Sequence, residues 1–143
     1  MGMYTELVVQ FEIKKDAPTW VDRTLRSMAG IEDPAGEYNP QWKDHPLFET
    51  DRWSWMLNSG GAVYMWGRGS VVDQYGRWSV AISLKNYGDE IGKFLDWVAP
   101  HIRHYGRDFL GFKRYEENED PTLIYIGAEG DIEYMDVHHA DEA

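Results

Sequence analysis

Two segments of this chain alternate apolar and polar residues, and this alternation limits the fold more than any other feature. In the first segment, one side of an extended chain carries Leu7, Val9, Phe11 and Ile13. Residues 78–84 repeat the pattern, with apolar side chains at every second position. Alternation of period two predicts strands with one buried face. We therefore expect a sheet that is covered on one side.

Two further segments have the spacing of amphipathic helices. The first helix is predicted from about Pro18 to Ala29, with Asp16 as its N-cap and Gly30 as its stop signal. The second begins after Asn86, which can cap it, and its apolar residues recur at helical spacing. These residues are Ile91, Phe94, Leu95, Val98 and Ile102. Pro100 is expected to bend or shorten this helix at the preceding residue.

The remaining strands are predicted from apolar runs bounded by turn residues. They are residues 53–57, 62–66, 109–116, 122–126 and 131–135. The order is interpreted as β-α-ββ-α-β with a strand pair appended. It predicts an α+β fold: an antiparallel sheet with two helices on one face, a split βαβ (ferredoxin-like) core, and an appended C-terminal strand pair. A plain antiparallel meander with two helices on one face is the alternative.

Chain length and composition predict one globular unit. The sequence has 143 residues, of which 43% are hydrophobic and 15% aromatic, so wholesale disorder is excluded. We expect a single domain over residues 1–136 and a flexible acidic tail over residues 137–143. The long segment 30–52 contains Tyr38, Trp42 and Phe48, which favours an ordered loop docked on the domain.

Cysteine is absent from the sequence, which excludes disulfides, thiolate metal sites and a cysteine nucleophile. No apolar run is long enough to span a membrane, and the first residues have no signal-peptide pattern. We therefore expect a cytoplasmic protein that does not bind membranes. The formal net charge of −11 argues against direct binding to nucleic acid.

The negative charge is concentrated at the C-terminal end. Residues 116–143 carry ten carboxylates and no Lys or Arg, whereas the first 115 residues hold 15 acids and 14 bases. Charge asymmetry of this kind concerns partners more than fold. We expect an acidic face formed by Glu119, Asp120, Glu129, Asp131 and Glu133. It is interpreted either as a key for a basic partner surface or nucleic-acid mimic, or as a solvated edge strand blunted by charge.

Other features of the acidic segment predict less. EF-hand spacing is missing, so no metal site and no cofactor are expected. The exposed edge of the appended strands leaves pairing with a second copy of the chain open.

Aromatic residues and arginines are interleaved in the middle of the chain. The candidates are Trp42, Trp53, Trp55, Trp66, Arg52 and Arg68. Three interpretations stay open: a packed core, a partner surface, or a pocket that stacks a nucleotide between aromatic and guanidinium groups.

Two blocks of the sequence carry a resemblance to a known group. Residues 85–97 contain Lys-Asn-Tyr, Asp-Glu-Ile and Phe-Leu-Asp-Trp, and residues 109–125 contain Phe-Leu-Gly-Phe, Arg-Tyr-Glu-Glu and Pro-Thr-Leu-Ile-Tyr. In these blocks the chain resembles a group of small bacteriophage proteins of unassigned function. The resemblance implies a compact α+β fold and a phage-type accessory protein, and it supplies no active-site residues.

These observations lead to one functional hypothesis and one alternative. The chain is predicted to be a non-catalytic accessory protein that binds a host protein, such as a defence or nucleic-acid-handling factor. The acidic face would meet a basic surface, and the aromatic residues would supply the anchor. The alternative is a small-ligand or nucleotide-binding protein, a sponge that uses Trp and Arg stacking. No enzyme is expected, because no Gly-x-Ser-x-Gly or other catalytic motif is present.

Overall fold

The computed structural model describes residues 4–31, 44–58 and 69–137. Within these ranges the chain forms seven strands and two α-helices. The strands are β1 (Thr5–Ile13), β2 (Gly69–Val72), β3 (Arg77–Leu84), β4 (Ile102–Arg103), β5 (Asp108–Tyr115), β6 (Thr122–Ile126) and β7 (Ile132–Asp136). The α-helices are α1 (Thr19–Met28) and α2 (Glu90–Val98), and short 3-10 helices cover Pro46–Glu49, Trp53–Trp55 and Ala99–His101.

All strands belong to one sheet whose order is β2-β3-β1-β5-β6-β7, with β4 paired to β1 off this path. Each pairing is antiparallel. The prediction of an α+β fold with an antiparallel sheet is therefore confirmed. Neither described helix has the length and apolarity that crossing a bilayer requires.

One face of the sheet holds the core. In β1 the odd-numbered residues Leu7, Val9, Phe11 and Ile13 are buried, as the alternation predicts. The apolar residues of β3 and both helices join the same cluster, and the ring centroids of Phe11 and Phe94 lie 6.4 Å apart. Burying each such side chain stabilises the fold by about 1.5–3 kcal/mol, so this layer carries most of the stability.

Helix α1 ends as predicted, α2 ends before its last predicted residue, and both helices begin differently from prediction. Gly30 has a φ of 75° directly after α1, and α2 ends at Val98, so Ile102 lies in β4 and not in the helix. The predicted N-cap role of Asn86 is wrong, because Asp89 caps α2 through the N–H of Gly92. The Asn86 side chain instead accepts the N–H of Ile91 at 2.9 Å. The predicted cap at Asp16 is also wrong, since α1 starts at Thr19 without a side-chain cap.

The middle of the chain differs most from prediction. The predicted strand 53–57 is wrong: a 3-10 helix spans Trp53–Trp55, and Met56 and Leu57 are buried. The apolar residues of this segment reach the core from a tight turn, so their burial does not require pairing with another strand. The strand beside β3 is β2, and Gly69 and Ser70 belong to it. The predicted strand 62–66 lies outside the described residues.

Candidate interaction surface on the open face of the sheet

The second face of the sheet carries two rows of side chains across the strands. The first row contains Ala81, Val8, Phe112, Leu123 and Met135. The second contains Val71, Ser79, Gln10, Phe109, Tyr125 and Glu133. We call these two rows the open face. Val71, Phe109 and Met135 are 63%, 57% and 44% exposed, so apolar surface meets solvent here.

A β-bulge in β5 places two phenylalanines on this face. The register shifts between Phe109 and Gly111, so both Phe109 and Phe112 point to the same side although they are three residues apart. Gly111 permits the bulge because a Cβ there would overlap the carbonyl oxygen of Val8 and lie 2.8 Å from the Cα of Val9. Only glycine fits this close approach.

Three of the predicted acids gather where β6 turns into β7. We call Glu129, Asp131 and Glu133 the turn cluster. A Cβ added at Gly127 would lie 2.7 Å from Oδ1 of Asp131 and 2.5 Å from Oε2 of Glu133, so the two carboxylates converge on this glycine. Because Asp131 and Glu133 are two residues apart, they share the side of β7 that carries Met135.

Arg107 partly neutralises the turn cluster. Its Nε donates to Oε1 of Glu133 at 2.8 Å, and its guanidinium lies 3.8 Å from the ring centroid of Tyr125. The hydrogen bond to Glu133 raises the pKa of Arg107, so the cation is permanent. Within residues 4–31, 44–58 and 69–137, no ion pair engages Glu129 or Asp131, and both are exposed. These two carboxylates carry the uncompensated charge.

The other two predicted acids lie elsewhere. Glu119 and Asp120 precede β6, whereas the turn cluster follows it, so about 13 Å of strand separates the groups. With Glu117 and Asp136 they line a recess of about 450 Å³. The predicted acidic face is therefore two separate clusters at opposite ends of β6.

The open face is closed at the end where β1 begins. Glu6 is 2% exposed, and its Oε1 accepts Nε of Arg114 at 3.2 Å. Glu6 Oε2 and the hydroxyl of Ser83, its cross-strand neighbour, have no hydrogen-bond partner among the described residues. Burial of polar atoms marks this end as structural interior, so the accessible surface lies toward Phe109 and β7.

A second recess of about 450 Å³ opens beside Phe109. Val71, Gln10 and Ser79 also line it. At its rim the carboxylate of Glu12 pairs with Arg103 at 2.8 Å and with Arg77 at 3.5 Å. The hydrogen bond from Arg103 is the main cause of the lowered pKa of Glu12. This rim is internally paired, and the recess has a mixed lining in which apolar Phe109 and Val71 lie beside polar Gln10 and Ser79.

Two of the predicted aromatic anchors, Trp53 and Trp55, lie near the other edge of the sheet. Trp53 packs edge-on against Phe48 at 4.9 Å and is half-buried, whereas Trp55 is 54% exposed. Two residues after Trp55, the carbonyl oxygen of Leu57 accepts a hydrogen bond from the hydroxyl of Ser70 on β2 at 2.8 Å. Since β2 and β7 are the two ends of the sheet order, five strand spacings, about 24 Å, separate these tryptophans from the turn cluster.

Arg52 is engaged within the fold. Its Nη1 lies 3.5 Å from Oε2 of buried Glu90, and its guanidinium lies 5.7 Å from the ring centroid of Tyr87. The predicted stacking partners Trp42, Trp66 and Arg68 lie outside the described residues. Among the residues that the structure describes, no group of three His, Asp or Glu is arranged to hold a metal ion.

Sequence reasoning missed Phe109, Met135 and Arg107 as parts of this surface. Read as a regular strand, residues 109–112 place the two phenylalanines on opposite faces. Gly111 could have indicated the bulge, because an isolated glycine in a strand pattern is typical of a bulge.

Comparisons of the chain with protein-family models, with curated proteins and with solved structures found no match.

Proposed function

We propose that this chain is a non-catalytic binding protein that recognises a basic surface of a partner protein through the turn cluster. The observation that carries the proposal is the placement of Asp131 and Glu133 on the same side of β7 as exposed Met135, beside exposed Phe109. Charge speeds encounter and selects the partner, while desolvated apolar contacts supply affinity. This pairing of charge with apolar surface supports an interface.

The anchor in this proposal is the open face, in place of the tryptophans. Phe109 lines the recess beside Val71 and packs against Tyr125, whose ring centroid lies 5.3 Å away. Trp53 and Trp55 lie near β2, at the other end of the sheet order from the turn cluster. A partner of ordinary size, burying about 800 Å² on each side, would cover the turn cluster and the exposed part of the open face together.

The partner in this proposal is a host protein, and the protein acts as a phage-type accessory factor in the cytoplasm. The resemblance of residues 85–97 and 109–125 supports the phage assignment. The absence of cysteine is compatible with a reducing compartment.

The test is capture of partners from nuclease-treated host lysate by the tagged protein and by a Glu129→Gln, Asp131→Asn double variant. Glu133 is kept, since its removal would release the cation of Arg107. We expect a specific protein to be captured by the parent and lost by the variant, because the variant removes the two uncompensated charges.

The matched control is Glu117→Gln, Glu119→Gln, which changes net charge equally at the other end of β6. Loss of capture by both variants would assign the effect to overall charge. Equal capture by parent and turn-cluster variant would refute the proposal.

The nucleotide-binding alternative has weaker support. Arg52 is held by Glu90 and Trp53 by Phe48, so neither is presented for stacking. Thermal melting across a nucleotide panel tests it, since any ligand of the native state raises the melting temperature. A second copy pairing along β7 is also weakly supported, because this strand carries Glu133 and Asp136 but no Lys or Arg, so pairing would bring like charges together.

We also propose that the framework is the split βαβ type with β6 and β7 as the appended pair. The order β2-β3-β1-β5, with helices after β1 and β3, supports this assignment. An experimental structure in which these four strands pair differently would exclude it.

A further inference from the structure

The open face has the dimensions and chemistry of a docking site for a helix. Its two rows are two residues apart along the strands, about 6.7 Å, which is within the width of a helix of about 10 Å. From β1 to β7 the rows cross three strand spacings, about 14 Å, and a helix of about ten residues has this length. The apolar strip is therefore as long and as wide as one short helix.

Backbone hydrogen bonding decides between a helix and an extended segment. The open face presents side chains such as Phe109, Leu123 and Met135, which offer no partners for peptide N–H and C=O groups. An extended segment lying on it would bury unsatisfied backbone groups, each at a cost of about 1–3 kcal/mol. A helix satisfies its own backbone and can bury an apolar stripe without this cost.

The charges at the two ends of the apolar strip define the rest of the occupant's chemistry. The strip ends at exposed Glu129 and Asp131, which have no ion pair within the described ranges. The rim at the opposite end is internally paired through Glu12, Arg77 and Arg103. A complementary segment is therefore apolar along one side, with Lys or Arg where it passes β7.

We propose that the open face docks a basic amphipathic helix of the partner, with its apolar side chains on exposed Phe109 and Met135. Its cationic side chains lie against Glu129 and Asp131. This inference rests on the proposed function, because the turn cluster supplies the charge. It adds the secondary structure of the partner segment and the surface of this protein that binds it.

The test uses two synthetic peptides of identical composition. Both contain Leu and Lys over about 14 residues; one has leucines at helical spacing and the other alternates strictly, as a strand does. Titration of the full chain, followed by fluorescence anisotropy, gives both dissociation constants. We expect the helical peptide to bind at least about tenfold more tightly, which corresponds to one well-placed anchor.

Single substitutions assign the site. Phe109→Ala is expected to weaken the helical peptide about tenfold and to leave the alternating peptide unchanged. Trp55→Ala is the matched control, because Trp55 and Phe109 are 54% and 57% exposed and lie in different parts of the fold. The Glu129→Gln, Asp131→Asn variant should weaken both peptides equally and reduce the salt dependence.

The outcomes separate the two proposals. If the peptides bind equally, Phe109→Ala has no effect and the acidic variant weakens both, then the turn cluster binds basic proteins but the helix site is wrong. Tighter binding of the alternating peptide would also overturn it and indicate strand addition at β7. If sedimentation shows that the protein is a dimer and that Phe109→Ala makes it a monomer, then a second copy of the chain, and not a partner helix, covers the open face. Binding of neither peptide contradicts both proposals.

Discussion

The two faces of this sheet are built from the same strands and do different things. On the core face, β1 contributes residues that are at most 8% exposed, and α1 and α2 complete a continuous apolar cluster. The open face carries the alternate residues of the same strands, and among them Phe109 and Val71 are more than half exposed. Apolar residues therefore occupy both sides, and only one side is needed for the fold.

The comparison separates stability from recognition. A soluble domain exposes single apolar residues without consequence, but a row that extends across several strands is a surface of another kind. The ion pairs on this side of the sheet also divide into a structural pair and a solvent-exposed pair. Arg114 is committed to buried Glu6, whereas the pair of Arg107 and Glu133 lies in solvent next to free carboxylates.

The largest expected effect on stability is at Gly111, which lies in the bulge that places Phe109 and Phe112 on the open face. Gly111→Ala would force a Cβ against the backbone of Val8 in the central strand, which cannot move without breaking the ladder. We expect a loss of unfolding free energy on the order of 4 kcal/mol, measured by urea denaturation.

Gly106→Ala is the control for this prediction. Gly106 has a φ of +68° but nothing within 4 Å of an added Cβ, so only backbone strain is introduced. A loss of about 1 kcal/mol is expected there. Equal losses at both positions would mean that the close approach at Gly111 is not what fixes the bulge.

Neighbouring valines in β1 test the two faces directly. Val9 is 1% exposed on the core face, and Val8 is half-buried on the open face. Val9→Ala should lower the unfolding free energy by about 2–3 kcal/mol through lost contacts and a cavity, and Val8→Ala by less than about 1 kcal/mol. Both variants lose the same strand propensity, so the difference reports packing alone.

Chemical denaturation of the two variants gives this difference. Similar losses would indicate that the open face at Val8 is packed as densely as the core. The docking surface would then have to be confined to Phe109, Tyr125 and β7.

Periodicity predicted the parts of the fold that repeat a simple rule. The alternation of β1 and β3 and the helical spacing of α1 and α2 are each imposed by one apolar side facing one core, so the pattern is visible in the sequence. Residues 53–57 follow no such rule. Their apolar side chains reach the core from a 3-10 turn, and tertiary contacts override the strand propensity of tryptophan.

The candidate site was predicted in part, for a related reason. The acids of the turn cluster were found because Asp131 and Glu133 are close in sequence. The separation of Glu119 and Asp120 from them depends on the length of β6, and the partnership with Arg107 depends on pairing between strands. The role of Phe109 depends on a bulge, which shifts every later side chain to the other face.

The smallest expected effect concerns pH and belongs to the helical side of the molecule. His101 lies against Trp20 and Trp97, with ring centroids 5.8 and 6.4 Å away. Burial, and next the charge of Lys14, lower the pKa of His101 below its ordinary value of 6.5. Between the lowered pKa and 6.5 the unfolded chain binds the proton more readily, so stability rises with pH in this window.

The stabilising contribution of neutral His101 is therefore complete above about pH 6.5 and is lost as the pH falls below it. Because the side chain is partly solvated, the slope stays below the limit for one proton, about 1.4 kcal/mol per pH unit. Urea denaturation of the wild type and of His101→Gln from neutral to mildly acidic pH measures this slope. The variant should have the flatter profile, since it lacks the titrating group, and parallel profiles would place the acid sensitivity among the carboxylates of the other face.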